Sequence, residues 1–523
     1  MTFLSSGDSE FAGTATQAVL YGASTITQII LQVATMMIVS RSLGPSNYGV
    51  YTLALLPSTI LSIFSDPGVT SSMLRYISVA KAKGDECGVA ESYRVSLLIL
   101  SLVNAMLLVA IVLLPEELGA WLAQREGLGE LILATAPYPL ATTIYGAVLT
   151  YYAGVEKAAL RSILQLLAPA LRLILVSLAL MLGSSVHGVI AAHVATYVVM
   201  AVTGLAVSLR ELRGFEPCKG GFDLKGFLSL ALSIYMIGLA GAVVGRIVGF
   251  LVAYSTSSMG EQGDFMVGNY NAANAFLGAV ASILGSLTVP LTPLLAKKLN
   301  DNQAGEASTL MINVLTALTI PVAMYLVSFA DAIIYSVYGR SYALAPLFFS
   351  YMSISLLAWP LQAVYGSLYW VLNDRKPLAV YGLLLMATGL ATSLPLSTVM
   401  GLKGVAIAQG LYPLISSTVL AYYGYSRYRV RLNKSGAAVI LVLSLTLSQL
   451  ARLATLRIPM YLAQAVVGFV IYTVLFTAAA GLLKAIDEAE LSLLDTLSRR
   501  TPVIGPLLSL LVKLYRRTAA LTR

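Results

Sequence analysis

Apolar runs long enough to cross a bilayer follow one another along almost the whole chain, and that succession constrains the fold more than any motif. A hydrocarbon core of about 30 Å needs roughly 20 helical residues. Runs of this length, separated by Gly, Pro or clusters of charge, fall near 13–40, 48–74, 93–114, 130–153, 159–182, 186–209 and 226–254. Seven more follow near 267–295, 307–331, 344–372, 377–399, 403–425, 436–456 and 459–483. They are continuous and rich in Leu and Ala rather than alternating, which predicts helices and not the strands of a membrane barrel. Only 11% of the 523 residues are charged and 58% are hydrophobic, where a soluble chain carries about 25% charged residues. So little charge cannot solvate the surface of a soluble protein of this size. That excludes a secreted or cytosolic enzyme and a nucleic-acid-binding protein, despite the net charge of +9. The chain reads as an all-α integral membrane protein of about 14 transmembrane helices.

The basic residues orient it. Most of the 33 Lys and Arg fall in every second loop, from Arg75, Lys81, Lys83 and Arg94 through to Arg427, Arg429, Arg431 and Lys434, and in the C-terminal tail. The other side holds Arg41, Arg125, Arg340, Lys403, Arg452 and Arg457. Short cytoplasmic loops collect Lys and Arg, so a multi-pass protein of the plasma membrane with both termini in the cytoplasm is expected. The N-terminus lacks a basic stretch and the first run exceeds the apolar core of a signal peptide, so no cleavage is expected. Cys87 and Cys218 fall in cytoplasmic loops, where thiols stay reduced, and no structural disulfide is expected.

An internal repeat organises the runs. At an offset of 216 residues, Ala80-Lys81 matches Ala296-Lys297, and Asp85 and Ser92 match Asp301 and Ser308. Ala147-Val148 likewise matches Ala363-Val364, and Gly188-Val189 and Ala192 match Gly404-Val405 and Ala408. The implied unit is six helices used twice, with two more appended. An even-numbered unit re-enters from the same side, so the repeats are parallel. The expected organisation is an N-lobe over 1–212, a cytoplasmic linker over 213–225, a C-lobe over 226–430, a helical pair over 431–484 and a cytoplasmic amphipathic tail over 485–523. Gly214-Phe-Glu-Pro-Cys-Lys-Gly-Gly-Phe222 is the linker. Leucines interleaved with Lys513, Arg516 and Arg517 suit the tail to the anionic inner leaflet.

Polar residues inside the runs need a reason. Gln17, Tyr21, Ser24, Gln28, Gln32 and Thr35 share one face of the first run. They read as the wall of a wetted cavity or as a helix–helix interface held by side-chain hydrogen bonds. The eighth run offers Asn271 and Asn274. Arg172 lies about twelve residues into the fifth run, ~18 Å at 1.5 Å per residue, too deep to snorkel easily. Arg161 and Gln165 precede it on the same face. Either Arg172 is held by a structural partner such as Asp66, or it is an anion site. Arg246 in the seventh run has both readings open. Asp66 and Asp331 offer either a site for a coupling monovalent cation, Na+ or H+, or local capping and interface polarity. His193 suits hydrogen-bonded packing better than a proton relay. The sequence lacks a phosphate-binding loop, a metal-ligand Cys/His spacing and a Ser-His-Asp order, so no cofactor beyond that cation is expected and the chain reads as a transporter rather than an enzyme.

Several strings resemble one family. Arg41-Ser-Leu-Gly-Pro-Ser-Asn-Tyr-Gly-Val-Tyr51, Asp66-Pro-Gly68 with Leu74-Arg75-Tyr76, and Val267-Gly-Asn-Tyr-Asn-Ala-Ala273 are similar to segments of polysaccharide flippases. So are Pro290-Leu-Thr-Pro293 with Ala296-Lys297, and Tyr338-Gly-Arg-Ser-Tyr342. These flippases belong to the multidrug/oligosaccharidyl-lipid/polysaccharide exporter superfamily, and the resemblance spans residues 13–425. It implies two six-helix bundles around a V-shaped central cleft that moves a lipid-linked oligosaccharide outward by alternating access. It also implies that basic residues contact the lipid phosphate, for which this sequence offers Arg172, Arg246 and, less centrally, Arg41 and Arg75. The extra helical pair is similar in number to that of the fourteen-helix lipid II flippases. Drug and cation exporters of the superfamily often carry a carboxylate in the first helix, and none is present here. A lipid II-type flippase and an ion-coupled multidrug or cation exporter stand as the alternatives. The expected partners are the lipid-linked oligosaccharide, membrane lipids and glycan-assembly enzymes, with the chain a monomer and no nucleic acid involved.

Overall fold

Glycine and proline decide where the apolar runs turn into separate helices. α1 (Ser5–Leu61) carries the first run and most of the second, and bends at Gly44, where φ is 72° and ψ 171°. Only glycine takes that conformation without strain, and Pro45 then opens the second arm where its missing N–H costs nothing. The second run breaks again before its expected end. Asp66-Pro67-Gly68 stops the helix, Gly68 has φ 79°, and α2 (Val69–Ala82) starts afresh. A Cβ on Gly68 would sit 2.0 Å from the Ala231 carbonyl oxygen, so glycine also permits a close helix crossing.

In this computed structural model residues 5–212, 222–286, 304–372, 374–500 and 505–521 are described. The helices that follow α2 in the first part of the chain are α3 (Glu86–Leu113), α4 (Pro115–Leu118), α5 (Gly129–Ala134), α6 (Tyr138–Gly154), α7 (Ala158–Met181), α8 (Val186–Glu211) and α9 (Leu224–Tyr254). Next come α10 (Gly260–Ser286), α11 (Ala304–Ser328), α12 (Ala330–Tyr338), α13 (Ala345–Ser353), α14 (Trp359–Val371), α15 (Arg375–Met400) and α16 (Leu402–Tyr428). The chain closes with α17 (Lys434–Thr455), α18 (Tyr461–Leu482), α19 (Glu488–Arg500) and α20 (Gly505–Ala520). There is no strand among the described residues. Twelve described stretches are long and apolar enough to cross a membrane. Thr27–Leu61 runs through the Gly44 bend and Gly241–Gly285 through the turn at residues 255–259, so each of these two covers a pair of the expected runs. The 216-residue offset carries Glu86, Ala158 and Val186 to positions 302, 374 and 402, beside the observed helix starts Ala304, Arg375 and Leu402.

A local rule starts three of the helices. Asp85, Asp223 and Asn433 each accept a hydrogen bond from the backbone N–H three residues on, at 2.8, 2.9 and 2.9 Å. The residue giving that N–H is Gly88, Gly226 or Gly436, and a Cβ there would press on the capping side chain. Asx-x-x-Gly is therefore a start signal in this chain, built on the usual N-cap bond.

The chain divides into two compact units, Met1–Gly268 and Asn269–Arg523, with the boundary inside α10. In the first unit, α2, α3 and α6 pack through Tyr93, Tyr151 and Tyr152. α9 joins them: Ser72 donates to the Phe227 carbonyl at 2.9 Å and Tyr235 to the Ile63 carbonyl at 3.2 Å. The outer face of α3 leaves Leu98, Leu102, Met106, Val109 and Leu113 exposed, a stripe suited to hydrocarbon. Cys87 is disulfide-bonded, a correction to the expectation of reduced thiols; Cys218 lies outside the described residues, as does most of the expected 213–225 linker.

In the second unit, buried tyrosines staple helices by donating to backbone carbonyls: Tyr325 to Ala465, Tyr338 to Ala272, Tyr369 to Leu420 and Tyr472 to Pro321. The first and last of these bonds fix α18 to α11, the other two join α12 to α10 and α14 to α16, and Ser328 with Ser448 at 2.7 Å ties α17 to α11. The tail forms two helices, not one. Leu508, Val512 and Tyr515, at helical spacing, are buried, α20 packs on α18 and α19, and Tyr515 donates to the Ile486 carbonyl at 2.7 Å. Of the leucines expected to lie on a leaflet, Leu508 is buried, Leu511 and Leu514 are half-buried and Leu510 is exposed.

Candidate functional site

Four helices of the first unit bring polar side chains to one small space. α7 supplies Arg161, Gln165 and Arg172, spaced so that they follow one side of the helix. Pro169 lies between them and has no N–H to give, so the Gln165 carbonyl loses its helical partner. α1 brings Gln28, Gln32 and Thr35, and α6 and α8 bring Tyr145 and Tyr197. Together they line a cavity of about 160 Å³. Gln165 Nε2 donates to Gln28 Oε1 at 2.8 Å, joining α7 to α1. Its own Oε1 is covered and has no hydrogen-bond partner.

Arg172 sits fourteen residues into α7, about 21 Å along its axis. Its side chain is partly open to the cavity while Nε is covered and makes no hydrogen bond. Among the described residues no carboxylate forms an ion pair with it. The groups that act on it electrostatically are the phenols of Tyr51, Tyr197, Tyr138 and Tyr48. The Tyr51 hydroxyl also lies 2.6 Å from His193 Nδ1, and Tyr138 stands edge-on to the His193 ring at 5.3 Å between centroids. His193 is thus held by a hydrogen bond inside an aromatic packing. A guanidinium ringed by neutral phenols keeps its charge uncancelled, and both kinds of group are hydrogen-bond donors. Chemically, the site is arranged to receive an anion.

The other sequence candidates fall elsewhere or in different roles. Arg246 on α9 donates to Ser62 Oγ at 3.3 Å and shares Tyr138 with Arg172 as an electrostatic neighbour. Asp66 accepts from the Thr70 backbone N–H at 3.2 Å and from the Thr70 hydroxyl, which caps α2. Asp331 pairs with Arg452 of α17 and accepts from the Ala332 N–H at 2.8 Å. Arg75 lines a different, open cavity of about 710 Å³ with Lys83, Asp85, Glu91 and Asp223, and Arg41 is exposed on α1. Asn271 and Asn274 belong to the second unit, where Asn274 Oδ1 accepts from Gln409 Nε2 at 2.7 Å. The side chains of Gln17 and Tyr21 lie outside the described residues. Sequence reasoning missed Tyr48, Tyr51, Tyr138, Tyr145 and Tyr197. The one signal available was that this apolar chain holds 29 Tyr against 14 Phe.

Residues 15–299, more than half of the chain, match the family of polysaccharide biosynthesis proteins. The chain belongs to that family. The fold agrees with the wider exporter superfamily. A lipid II flippase, MurJ, in an inward closed conformation superposes with a TM-score of 0.72 at 13% identity, over 89% of this chain and 100% of its own. An inward-facing multidrug resistance MATE transporter gives 0.62 at 14%, over 79% and 98%. A superfamily transporter from Pyrococcus furiosus gives 0.57 at 14%, over 79% and 96%. A comparison of the sequence with curated proteins finds no match. The chain is therefore a multi-pass membrane protein of the polysaccharide biosynthesis family, built on the fold of these transporters.

Proposed function

We propose that this protein is a flippase that carries a polyprenyl- or dolichyl-phosphate-linked oligosaccharide from the inner to the outer leaflet by alternating access. The observation that carries the reading is Arg172: a membrane-embedded guanidinium with no carboxylate partner among the described residues, facing a cavity lined in part by phenols. An uncompensated cation at such depth is costly, and a passing phosphate is the group that offsets the cost. Size narrows the choice. A cavity of about 160 Å³ is below the ~300–1,000 Å³ that enclose drug-sized ligands, so it suits the phosphate portion of a headgroup and not a whole drug molecule. The physics of the task matches, because each unsatisfied polar group costs several kcal/mol in hydrocarbon. Absent a nucleotide-binding sequence, the membrane potential is an available drive, at ~2.3 kcal/mol per charge per 100 mV.

A lipid II-type headgroup is the second reading. It is favoured by the superposition on MurJ, which covers 89% of this chain where the MATE transporter covers 79%. Both readings place a lipid-borne phosphate at Arg172. The test is leaflet translocation of a fluorescent polyprenyl-diphosphate oligosaccharide in proteoliposomes. Arg172→Ala is expected to slow it about 10- to 100-fold, the scale of a lost charge-assisted hydrogen bond, with Arg172→Lys retaining part of the rate. Wild-type translocation by a folded Arg172→Ala protein would overturn the reading.

A further inference from the structure

The second unit holds a polar network of a different chemistry. Tyr270 of α10 donates to Gln409 Oε1 of α16, and Gln409 Nε2 passes the chain to Asn274 Oδ1 at 2.7 Å. Gln409, Tyr412 and Ser416 follow one face of α16 at spacings of three and four. The Tyr412 phenol acts electrostatically on Tyr270 and is itself acted on by Tyr381. Tyr381 bonds to Ser416, Ser417 and Gln362, and Gln362 Nε2 donates to Ser417 Oγ at 3.2 Å. Amides and hydroxyls from α10, α14, α15 and α16 thus form two hydrogen-bonded sets, Tyr270–Gln409–Asn274 and Tyr381 with Gln362, Ser416 and Ser417, with Tyr412 on the same face of α16 as Gln409 and Ser416. None of them is charged, and no Asp, Glu, Lys or Arg occurs in residues 265–286, 345–371, 377–400 or 404–426.

This network is not closed. Asn274 is exposed, uses its oxygen on Gln409, and spends neither amide hydrogen among the described residues. Tyr412 is only partly buried, and its hydroxyl makes no hydrogen bond among the described residues. Asn274 lies fourteen residues into α10, about 21 Å from its start. Open donors at such depth are costly against hydrocarbon, so they face water or a ligand. Helix–helix adhesion would account for the internal bonds but not for the ends left open.

We propose that Asn274, Tyr412 and Gln409 form a saccharide-binding surface on the second unit, which recognises hydroxyl groups of a neutral glycan. Amides and phenols offer donors and acceptors together, as a sugar hydroxyl requires, and the lack of a cation gives phosphate no charge partner here. The proposal rests on the flippase reading and adds the substrate class that this surface selects.

The experiment compares two probes on the purified full chain in nanodiscs: a polyprenyl diphosphate bearing an oligosaccharide, and the same lipid phosphate without sugar. Tyr412→Phe removes only a hydroxyl that makes no hydrogen bond among the described residues, so the variant is expected to fold. It is expected to weaken the glycosylated probe about three- to tenfold, the scale of one neutral hydrogen bond, and to leave the bare lipid phosphate unchanged. Arg172→Gln is expected to weaken both. Equal binding of the glycosylated probe by wild type and Tyr412→Phe, with Asn274→Ala also silent, would overturn the saccharide surface while leaving the flippase reading intact. Failure of wild type to bind either probe would overturn both. A lipophilic cation whose binding depends on Tyr412 would overturn the glycan assignment in favour of a drug exporter.

Discussion

The two units share a helical plan but treat membrane-embedded polarity in opposite ways. In the first, Arg172 keeps a full charge among phenols, with Arg246 sharing Tyr138 as a neighbour. In the second, the polar network at α10 and α16 is neutral, and the charged pair Asp331–Arg452 cancels itself. A buried charge left unpaired is retained only where something else compensates it. A neutral network tolerates an open end far more cheaply. On the readings proposed above, the difference suits the first unit to a ligand that brings charge and the second to one that brings hydroxyls. Glycine permits close approach in both units. In the first, α1 and α10 meet through paired glycines: a Cβ on Gly268 would lie 1.9 Å from the Pro45 carbonyl oxygen, and one on Gly49 would lie 1.9 Å from that of Asp264. In the second, a Cβ on Gly305, Gly404 or Gly410 would likewise meet a backbone carbonyl, whereas one on Gly424 would lie 2.1 Å from the Tyr365 ring.

The charge contrast breaks most sharply if the first unit is given its own carboxylate. Gln165→Glu places an anion in the Arg172 cavity and supplies internally what the substrate is held to bring. Translocation is expected to fall about 10- to 100-fold, as for loss of Arg172, with the protein still folded by gel filtration. An unchanged rate would mean that Arg172 does not need its free charge. The crossing contrast is sharpened by Gly268→Ala against Gly424→Ala. The first pushes a methyl into backbone and is expected to cost about 1–3 kcal/mol of stability. The second meets a ring that can rotate or shift and should cost less. Thermal melting of the two variants compares them, and equal losses would remove the distinction.

The smallest expected effect lies in the tail. Burial is the main cause that raises the Glu490 carboxyl above its ordinary pKa, opposed by the Asp487 N–H that it accepts. A group whose folded pKa is raised binds more protons in the folded state, so its contribution is fully present at acid pH and is lost as pH rises through the raised value. Docking of α19 should therefore weaken on going from acid to neutral pH. Glu490→Gln should flatten that dependence and leave the protein more stable than wild type at neutral pH, by less than about 1 kcal/mol, read as a higher melting temperature. A wild-type protein that gains on the variant as pH rises would reverse the sign and refute the assignment.

Much of the first unit's site was legible because lipid makes polar residues conspicuous. Gln28, Gln32 and Thr35 at helical spacing, and Arg161, Gln165 and Arg172 on one face, mark two helices that share a cavity wall, and the structure brings them together. The tyrosines were not legible. A tyrosine in a membrane chain is expected at the interface belts, and nothing local separates Tyr138 or Tyr197 from that role. Asp66 was open to two readings, an ion site or local capping, and Pro67 and Gly68 beside it turn the backbone so that its carboxylate accepts from the Thr70 N–H and hydroxyl at the start of α2.

Hydrophobic runs, glycine and proline punctuation and the placing of Lys and Arg determine by themselves that this chain is an α-helical membrane protein with a repeated plan, because each acts over a few residues or one bilayer thickness. Which phenols surround Arg172, which amides on α10 and α16 link up, and where α9 packs were decided only by the tertiary structure. Those partners lie more than a hundred residues apart in the cases of Tyr51 with His193 and Tyr270 with Gln409, and whether a polar side chain keeps a free donor or spends it depends on its neighbour across the helix interface.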